Sequence, residues 1–136
     1  MTLRFIILLG GTAVVFGVLT ACGAPPTPAA PIQSLTEADA GRSIELRAGD
    51  ALEVTLPGNA STGFQWEVKS VDTSILKPGG EPEFKASSNA LGSSGQFTLR
   101  FGAVAPGQTQ LQLIYHRPFE KDTPPAQTFE VTVTVK

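Results

Sequence analysis

From about residue 32 onward the sequence alternates apolar with polar residues, and this period of two restricts the fold more than any other feature. Successive side chains of a β-strand point to opposite faces, so the alternation is typical of strands that bury one face. A helix would need a period near ~3.6 residues, and no segment keeps that period for longer than a turn. The alternating sets are Ile44 and Leu46; Leu52, Val54 and Leu56; Phe64, Trp66 and Val68; Phe97, Leu99 and Phe101; Leu111, Leu113 and Tyr115; and Phe129, Val131, Val133 and Val135.

With a further short strand around Phe84, these sets predict about seven strands, separated by turns at spacings typical of a sandwich. A chain of 136 residues has room for one modest core, and 14 glycines and 11 prolines suit many turns. We therefore predict a single all-β domain with an immunoglobulin-like β-sandwich fold. The single cysteine excludes an internal disulfide, so Trp66 is expected to pack in the core without a disulfide behind it.

The first 22 residues are typical of a secretory leader. A short segment with one positive charge at Arg4 precedes the apolar run Phe5 to Leu19, which is shorter than the roughly 20 residues that a membrane span needs. The run ends in Leu19-Thr20-Ala21-Cys22, which resembles the bacterial lipobox. This predicts a lipoprotein signal peptide over residues 1–22, with Cys22 carrying diacylglycerol and its new N-terminus an acyl chain such as palmitate.

The alternative is an ordinary cleaved signal with a chance cysteine. Residues 23–34 are rich in proline and alanine, which favours an extended linker and predicts that the domain occupies residues 35–136. The expected location is extracytoplasmic, with the protein held on the bilayer of the bacterial cell membrane or outer membrane through Cys22.

The sequence lacks the residues that common catalytic centres require. His116 is the only histidine and Cys22 the only cysteine, so neither a Cys-His pair nor a zinc site with its usual ligands can be assembled. Glu81 and Glu83 alternate on one predicted strand, where exposed acids are common, and His116 is expected in a solvated loop or edge strand. The basic residues are scattered, which argues against a nucleic-acid partner. We expect no catalysis, no cofactor and no metal.

Three short motifs lie between the predicted strands, where binding residues tend to occur. They read Asn59-Ala60-Ser61-Thr62-Gly63-Phe64, Gly92-Ser93-Ser94-Gly95 and Arg117-Pro118-Phe119. In this order they resemble the chagasin family of cysteine-peptidase inhibitors, whose motifs are approximately N-P-T-T-G-[FY], G-x-G-G and R-P-[WF]. The resemblance extends from about Leu35 to Lys136. Three residues depart from the family pattern: Ala60 replaces a proline, Ser61 a threonine and Ser94 a glycine.

The resemblance implies a monomeric, reversible inhibitor that occludes the active-site cleft of papain-like cysteine peptidases with three loops. The implied peptidase-binding residues are Asn59, Ser61, Thr62, Gly63, Phe64, Gly92, Ser93, Ser94, Gly95, Arg117, Pro118 and Phe119. It implies that Ser61 and Thr62 approach the catalytic pair of the enzyme and that Phe119 stacks on an aromatic wall of the cleft. Two other classes stay open: an immunoglobulin-like adhesion or assembly module of the cell envelope, and a small-ligand-binding lipoprotein, for which a single sandwich offers no cleft between lobes.

Overall fold

The computed structural model describes residues 23–136, so the predicted leader and its Cys22 lie outside the described residues. Nine strands follow the exposed segment 23–31: β1 Ile32–Thr36, β2 Ser43–Leu46, β3 Ala51–Gly58, β4 Gln65–Ser70, β5 Leu76–Pro78, β6 Glu83–Ala86, β7 Gly95–Ala103, β8 Gly107–His116 and β9 Gln127–Val135. Short 3₁₀ turns occupy Glu37–Asp39 and Ala60–Thr62. Within residues 23–136, no helix is long and apolar enough to span a bilayer.

The strands form two sheets. Five strands make the first sheet in the order β1-β3-β7-β5, with β6 also pairing with β7, and four make the second in the order β2-β9-β8-β4. Most neighbours are antiparallel, but β1 runs parallel to β3 and β2 parallel to β9. The chain therefore runs along β1 in the first sheet, crosses over at the turn Glu37–Asp39 and returns in the opposite direction along β2 in the second sheet. The predicted all-β, immunoglobulin-like single domain is confirmed.

Nine strands are present where the alternation predicted about seven. The two additional strands are β1, with Leu35 as its one buried residue, and the three-residue β5, with Leu76. A single buried residue produces no alternation, so neither strand was visible in the pattern. Residues 32–34 were assigned to the linker, but in the structure they belong to β1 and pair with β3.

The core lies between the two sheets and is built from the alternating apolar residues. In β3, for example, Leu52, Val54 and Leu56 are fully buried while the residues between them are half-exposed. Trp66 is buried as predicted, and its indole Nε1 donates a hydrogen bond to the carbonyl oxygen of Pro57 at 3.0 Å. This bond joins the two sheets and gives the buried indole N–H a hydrogen-bond partner. The side chain therefore packs in the core without leaving a polar group unpaired.

The long strands give the sandwich two distinct ends. At one end β3 finishes at Gly58, β7 begins opposite it at Gly95, and β8 finishes at His116. This end, which we call the loop pole, carries loop 1 (residues 59–64), loop 2 (87–94) and loop 3 (117–126). The other end, the linker pole, comprises the start of β1, the turns at residues 47–50 and 104–106, and the end of β9.

Candidate functional site

Loop 1 is a compact turn that Asn59 organises. The Asn59 side-chain oxygen Oδ1 accepts hydrogen bonds from the backbone N–H of Ser61 at 3.0 Å and from its hydroxyl Oγ at 2.6 Å. The Thr62 hydroxyl donates to the Asn59 carbonyl at 2.7 Å. An asparagine that accepts from the residue two positions on is the usual start of such turns. The loop is thus held by its own side chains and needs no proline at residue 60.

Gly63 ends the turn with φ of 80°, a left-handed conformation that disfavours other residues. Its backbone N–H donates to the carbonyl of Ala60 at 3.2 Å. A Cβ atom at this position would lie 3.1 Å from Cε1 of Phe119, so the ring of loop 3 packs directly over the glycine. The turn therefore favours glycine here, and a Cβ atom would push the exposed Phe119 ring by a few tenths of an ångström.

Loop 2 is held by a cluster of serines. The Ser88 hydroxyl donates to the Ser93 hydroxyl at 3.0 Å, and the Ser93 hydroxyl in turn lies 3.0 Å from the Ser94 carbonyl. Gly92 has φ of 76°, whereas no residue other than glycine has a positive φ within residues 23–136. Ser94 therefore sits in an ordinary backbone conformation. Gly95 has no space for a side chain, because a Cβ atom would collide with the carbonyl of Lys85.

Loop 1 lies between the other two loops and is hydrogen-bonded to both. Its Asn59 side-chain N–H donates to the carbonyl of Gly92 in loop 2 at 3.0 Å. On the other side the Arg117 guanidinium donates through Nε to the carbonyl of Thr62 at 3.1 Å. The same guanidinium pairs with Glu120 at 3.1 Å, which keeps it in place. The three predicted loops therefore form one connected surface.

An aromatic cluster supports this surface from below. The Tyr115 ring stacks on Phe64 with centroids 5.1 Å apart and packs against Trp66 at 5.2 Å. The Tyr115 hydroxyl accepts a hydrogen bond from the backbone N–H of Asn59 at 2.8 Å. The Arg117 guanidinium lies over the Phe64 ring, 4.4 Å from its centroid, in a cation–π contact. Loop 1 is thus anchored in the core at its first residue.

Two large apolar side chains project from the loop pole into solvent. Phe119 in loop 3 is 70% exposed, and Leu91 at the tip of loop 2 is fully exposed. Phe119 was predicted as a binding residue, whereas Leu91 was not singled out in the sequence. The feature that could have identified Leu91 is its position as an isolated leucine in a segment rich in glycine and serine, with no apolar residue two positions away on either side. Each of these two side chains could bury a large apolar area against a partner, as binding anchors do.

One titratable side chain lies at the base of the loop pole. His116, at the end of β8, is part-buried, and its Nε2 lies 2.6 Å from a carboxylate oxygen of Glu67 on β4. It is therefore held by a side-chain hydrogen bond at the base of loop 3 and is less solvated than expected. The described part of the chain contains no cluster of three or more residues suited to hold a metal. The pole presents outward hydroxyls, backbone groups, the charged side chains of Lys121 and Asp122 in loop 3, and two large apolar side chains.

All twelve residues predicted to bind a peptidase lie at the loop pole, so the structure brings the three motifs together. The set comprises Asn59, Ser61, Thr62, Gly63, Phe64, Gly92, Ser93, Ser94, Gly95, Arg117, Pro118 and Phe119. These residues differ in their structural roles. Phe64 and Gly95 act within the framework, because Phe64 packs under Arg117 and Gly95 is buried at the start of β7.

Fold and site together define a small β-sandwich domain that gathers three loops into one surface at one pole. The family described as "Chagasin family peptidase inhibitor I42" matches residues 45–133. The chain belongs to this family of peptidase inhibitors. The predictions of the family, of an inhibitory function and of a domain that is not itself an enzyme are thereby confirmed.

Known proteins resemble the chain over most of its length. Amoebiasin-2 from Entamoeba histolytica is 28% identical over 111 residues, which cover 79% of this chain and 88% of the amoebiasin. The crystal structure of EhICP2, a cysteine protease inhibitor from the same organism, superposes with a TM-score of 0.70 at 24% identity, covering 81% of this chain and all of that one.

The structure of PbICP-C in complex with falcipain-2 has a TM-score of 0.52 at 22% identity, covering 78% of this chain and 92% of that chain. These two structural comparisons establish the shared fold. The family match leaves the alternative of an envelope adhesion module without support.

Proposed function

We propose that this protein inhibits a papain-like cysteine peptidase reversibly, by inserting the loop pole into the active-site cleft as a monomer. The observation that carries the proposal is the hydrogen-bonded connection of the three loops through Asn59 and Arg117. Loops that are ordered before binding lose little conformational entropy in the complex, which favours tight association. The inhibition by EhICP2 of cysteine proteases and the complex of PbICP-C with falcipain-2 support the choice of the cysteine class.

Loop 1 is built to resist cleavage while it occupies a cleft. The carbonyls of Asn59, Ala60 and Thr62 all accept hydrogen bonds from within the domain. Peptide bonds in a 3₁₀ turn also differ in shape from the extended chain that a peptidase cleft accepts. A nucleophilic thiolate therefore meets no well-aligned scissile bond.

The tip of loop 1 offers acceptors to the catalytic pair of the enzyme. A hydroxyl has one donor and two acceptor lone pairs, and both Ser61 and Thr62 use their donor on Asn59. The lone pairs that remain suit an imidazolium N–H, which is the charged partner of a catalytic thiolate. The small polar tip can make this contact without burying an unpaired charge of its own.

Phe119 and Leu91 flank this tip and supply apolar burial on its two sides. Both side chains are exposed to water in the free domain, so burying their apolar surface against a partner would contribute favourable free energy to binding. Large apolar side chains placed beside a rigid polar centre are typical of binding hot spots. We assign Phe119 to the aromatic wall of the cleft and Leu91 to the opposite side.

We further propose that the protein acts outside the cytoplasm, held on a bacterial membrane by acylated Cys22 and separated from it by the proline-rich linker. The lipobox-like Leu19-Thr20-Ala21-Cys22 and the preceding apolar run support this part of the proposal. A Cys22→Ser variant is expected to lose detergent partitioning. Unchanged partitioning of that variant would disprove lipid anchoring and leave the inhibitory function intact.

Steady-state inhibition of papain and a cathepsin L-type enzyme by residues 32–136 tests the cleft-occlusion proposal. We expect saturation at one inhibitor per enzyme and a loss of affinity of about tenfold or more for both Phe119→Ala and Leu91→Ser, because hot-spot truncations cost about 2 kcal/mol or more and about 1.4 kcal/mol is already tenfold.

Val104→Ser is the matched control, since Val104 is a half-exposed apolar residue at the linker pole. It is expected to inhibit like the unmodified domain. If a folded domain does not inhibit at micromolar concentration, or if Val104→Ser weakens inhibition as much as Leu91→Ser, the assignment of the loop pole is wrong.

A further inference from the structure

The first strand determines where the linker leaves the domain. β1 runs parallel to β3, with Ile32 opposite Ala51 and Thr36 opposite Thr55. Just before β1, the carbonyl of Pro31 accepts a hydrogen bond from the backbone N–H of Ala51 at 3.1 Å. Ala51 is the first residue of β3, whereas Gly58, its last residue, leads into loop 1. The linker therefore departs from the pole opposite the binding loops.

The other end of the described chain lies at this same pole. β9 runs toward the linker pole, where the Lys136 carbonyl accepts a hydrogen bond from the backbone N–H of Ala48 at 3.1 Å. Pro31 and Lys136 therefore both lie at the linker pole. The surface that the proposed function requires stays open to solvent on the side away from the anchor.

Simple lengths show how far the loops reach. β8 has ten residues, and at about 3.3 Å per residue the sandwich is ~33 Å tall. Residues 23–31 are exposed and carry four prolines, and an extended polyproline segment of this length spans ~28 Å at about 3.1 Å per residue. The tips of the loops can therefore stand roughly 60 Å from the lipid surface when linker and domain are extended.

From this geometry we infer that the anchored protein presents its loops away from its own membrane, and that its partner is a soluble peptidase arriving from the surrounding medium. The inference rests on the proposed inhibition and on the lipid anchor at Cys22. A peptidase embedded in the same membrane with its cleft close to the lipid would face the linker pole, which lacks the three loops. A free enzyme meets the loop pole without approaching the bilayer.

Two matched probes test the orientation directly. The lipidated full chain is reconstituted into vesicles as the Ala48→Cys or the Ala90→Cys variant. The introduced cysteine carries a fluorophore, and an acceptor on the lipid headgroups quenches its fluorescence. Both alanines are exposed, one at the linker pole and one in loop 2. We expect clearly stronger quenching at residue 48 than at residue 90. Equal quenching, stronger quenching at residue 90, or failure of the protein to remain on the vesicles would overturn the inference.

Capture of a soluble enzyme provides the functional test. Papain is added to vesicles carrying either the full-length lipoprotein or a variant that lacks residues 24–30, and the association rate constant is compared with that of soluble residues 32–136. Because the loops point outward, we expect both anchored forms to lie within about threefold of the soluble domain when expressed per accessible inhibitor. A loss of more than tenfold on shortening the linker would show that the loops face the membrane and would overturn the inference.

The two proposals fail in different ways. If the residue 48 and residue 90 probes report the expected orientation but neither the soluble nor the anchored form inhibits papain and the cathepsin L-type enzyme, the proposed function is wrong and the orientation stands. If the soluble domain inhibits but the probes report no difference, the inhibitory function stands and the outward presentation is wrong.

Discussion

At the scale of single residues, glycine and asparagine decide the shape of the loop pole. Gly63 and Gly92 carry the left-handed conformations, and Asn59 holds both the turn of loop 1 and the contact with loop 2. This distribution explains why two departures from the family motifs leave the backbone intact. Ala60 begins a 3₁₀ turn that Asn59 already closes, and Ser94 needs no positive φ.

Replacing Gly63 by alanine tests the link between loops 1 and 3. A non-glycine residue in the left-handed region costs about 1–2 kcal/mol, and the new Cβ would also push on Phe119. Gly41→Ala is the matched control, because Gly41 has the same φ of 80° and open space around its Cβ direction. We expect both variants to lose a similar unfolding free energy in urea, and only Gly63→Ala to weaken papain inhibition, by about tenfold.

If the two alanine variants inhibited papain equally well, the packing of Phe119 over Gly63 would have no role in binding. If Gly41→Ala weakened inhibition as much as Gly63→Ala, the loss would be a general consequence of reduced stability.

At the scale of secondary-structure elements, the segment from β1 to β2 depends on a small polar turn. Asp39 accepts a hydrogen bond from the backbone N–H of Thr36 at 2.9 Å and pairs with Arg42 at 2.6 Å. The Thr36 N–H, and next the Arg42 side chain, hold the pKa of the Asp39 carboxyl below its usual value of 3.8. These contacts fasten the crossover that lets one chain segment serve both sheets.

A carboxyl with a lowered pKa in the folded state stabilises the protein above its unfolded pKa of 3.8, and that contribution disappears as the pH falls through the lower folded value. Asp39→Asn should therefore lower the Tm at pH 7, and the difference from the unmodified domain should shrink as the pH falls below 3.8. Thermal unfolding followed by circular dichroism, at pH 7 and at a pH below 3.8, measures this difference in Tm.

Glu37→Gln serves as the control for Asp39→Asn. Glu37 lies in the same turn, and its side chain makes no hydrogen bond within residues 23–136. Its Tm is expected to stay close to that of the unmodified domain at either pH. A Tm deficit of Asp39→Asn that is the same at acid and neutral pH would contradict an ionic origin.

At the scale of the whole molecule, the core and the proposed binding surface occupy different positions along the long axis of the sandwich. The core between the sheets holds the strands together, and the loop pole carries the proposed binding loops at one end. Leu35 shows the separation well, because it is 3% exposed in β1 and lies opposite Val54, in the middle of β3. A change there acts on the core without touching the loops.

Leu35→Ala is expected to lower the unfolding free energy by about 2–5 kcal/mol, as buried leucine truncations do. Ile32→Ala, in the same strand but 64% exposed, should cost less than about 0.5 kcal/mol. Urea unfolding measures both changes. At a temperature where the variants are folded, papain inhibition should be unchanged for both. A reduced affinity of folded Leu35→Ala would show that core and loops are coupled.

The sequence by itself determined the strand class, most of the core and the residues of the three motifs, because alternation and turn residues are local properties of the chain. It did not reveal β1 and β5, each with a single buried residue, or the exposed anchor Leu91.

Tertiary structure alone decided that the loops form one surface, through bonds such as Asn59 to Gly92 and Arg117 to Thr62, which are 33 and 55 residues apart in sequence. It also decided that the linker leaves from the opposite pole, since the parallel pairing of β1 with β3 is a contact between strands that the order of residues leaves open. Both features depend on which distant backbone and side-chain groups meet in space, and such pairings leave no periodic trace along the chain.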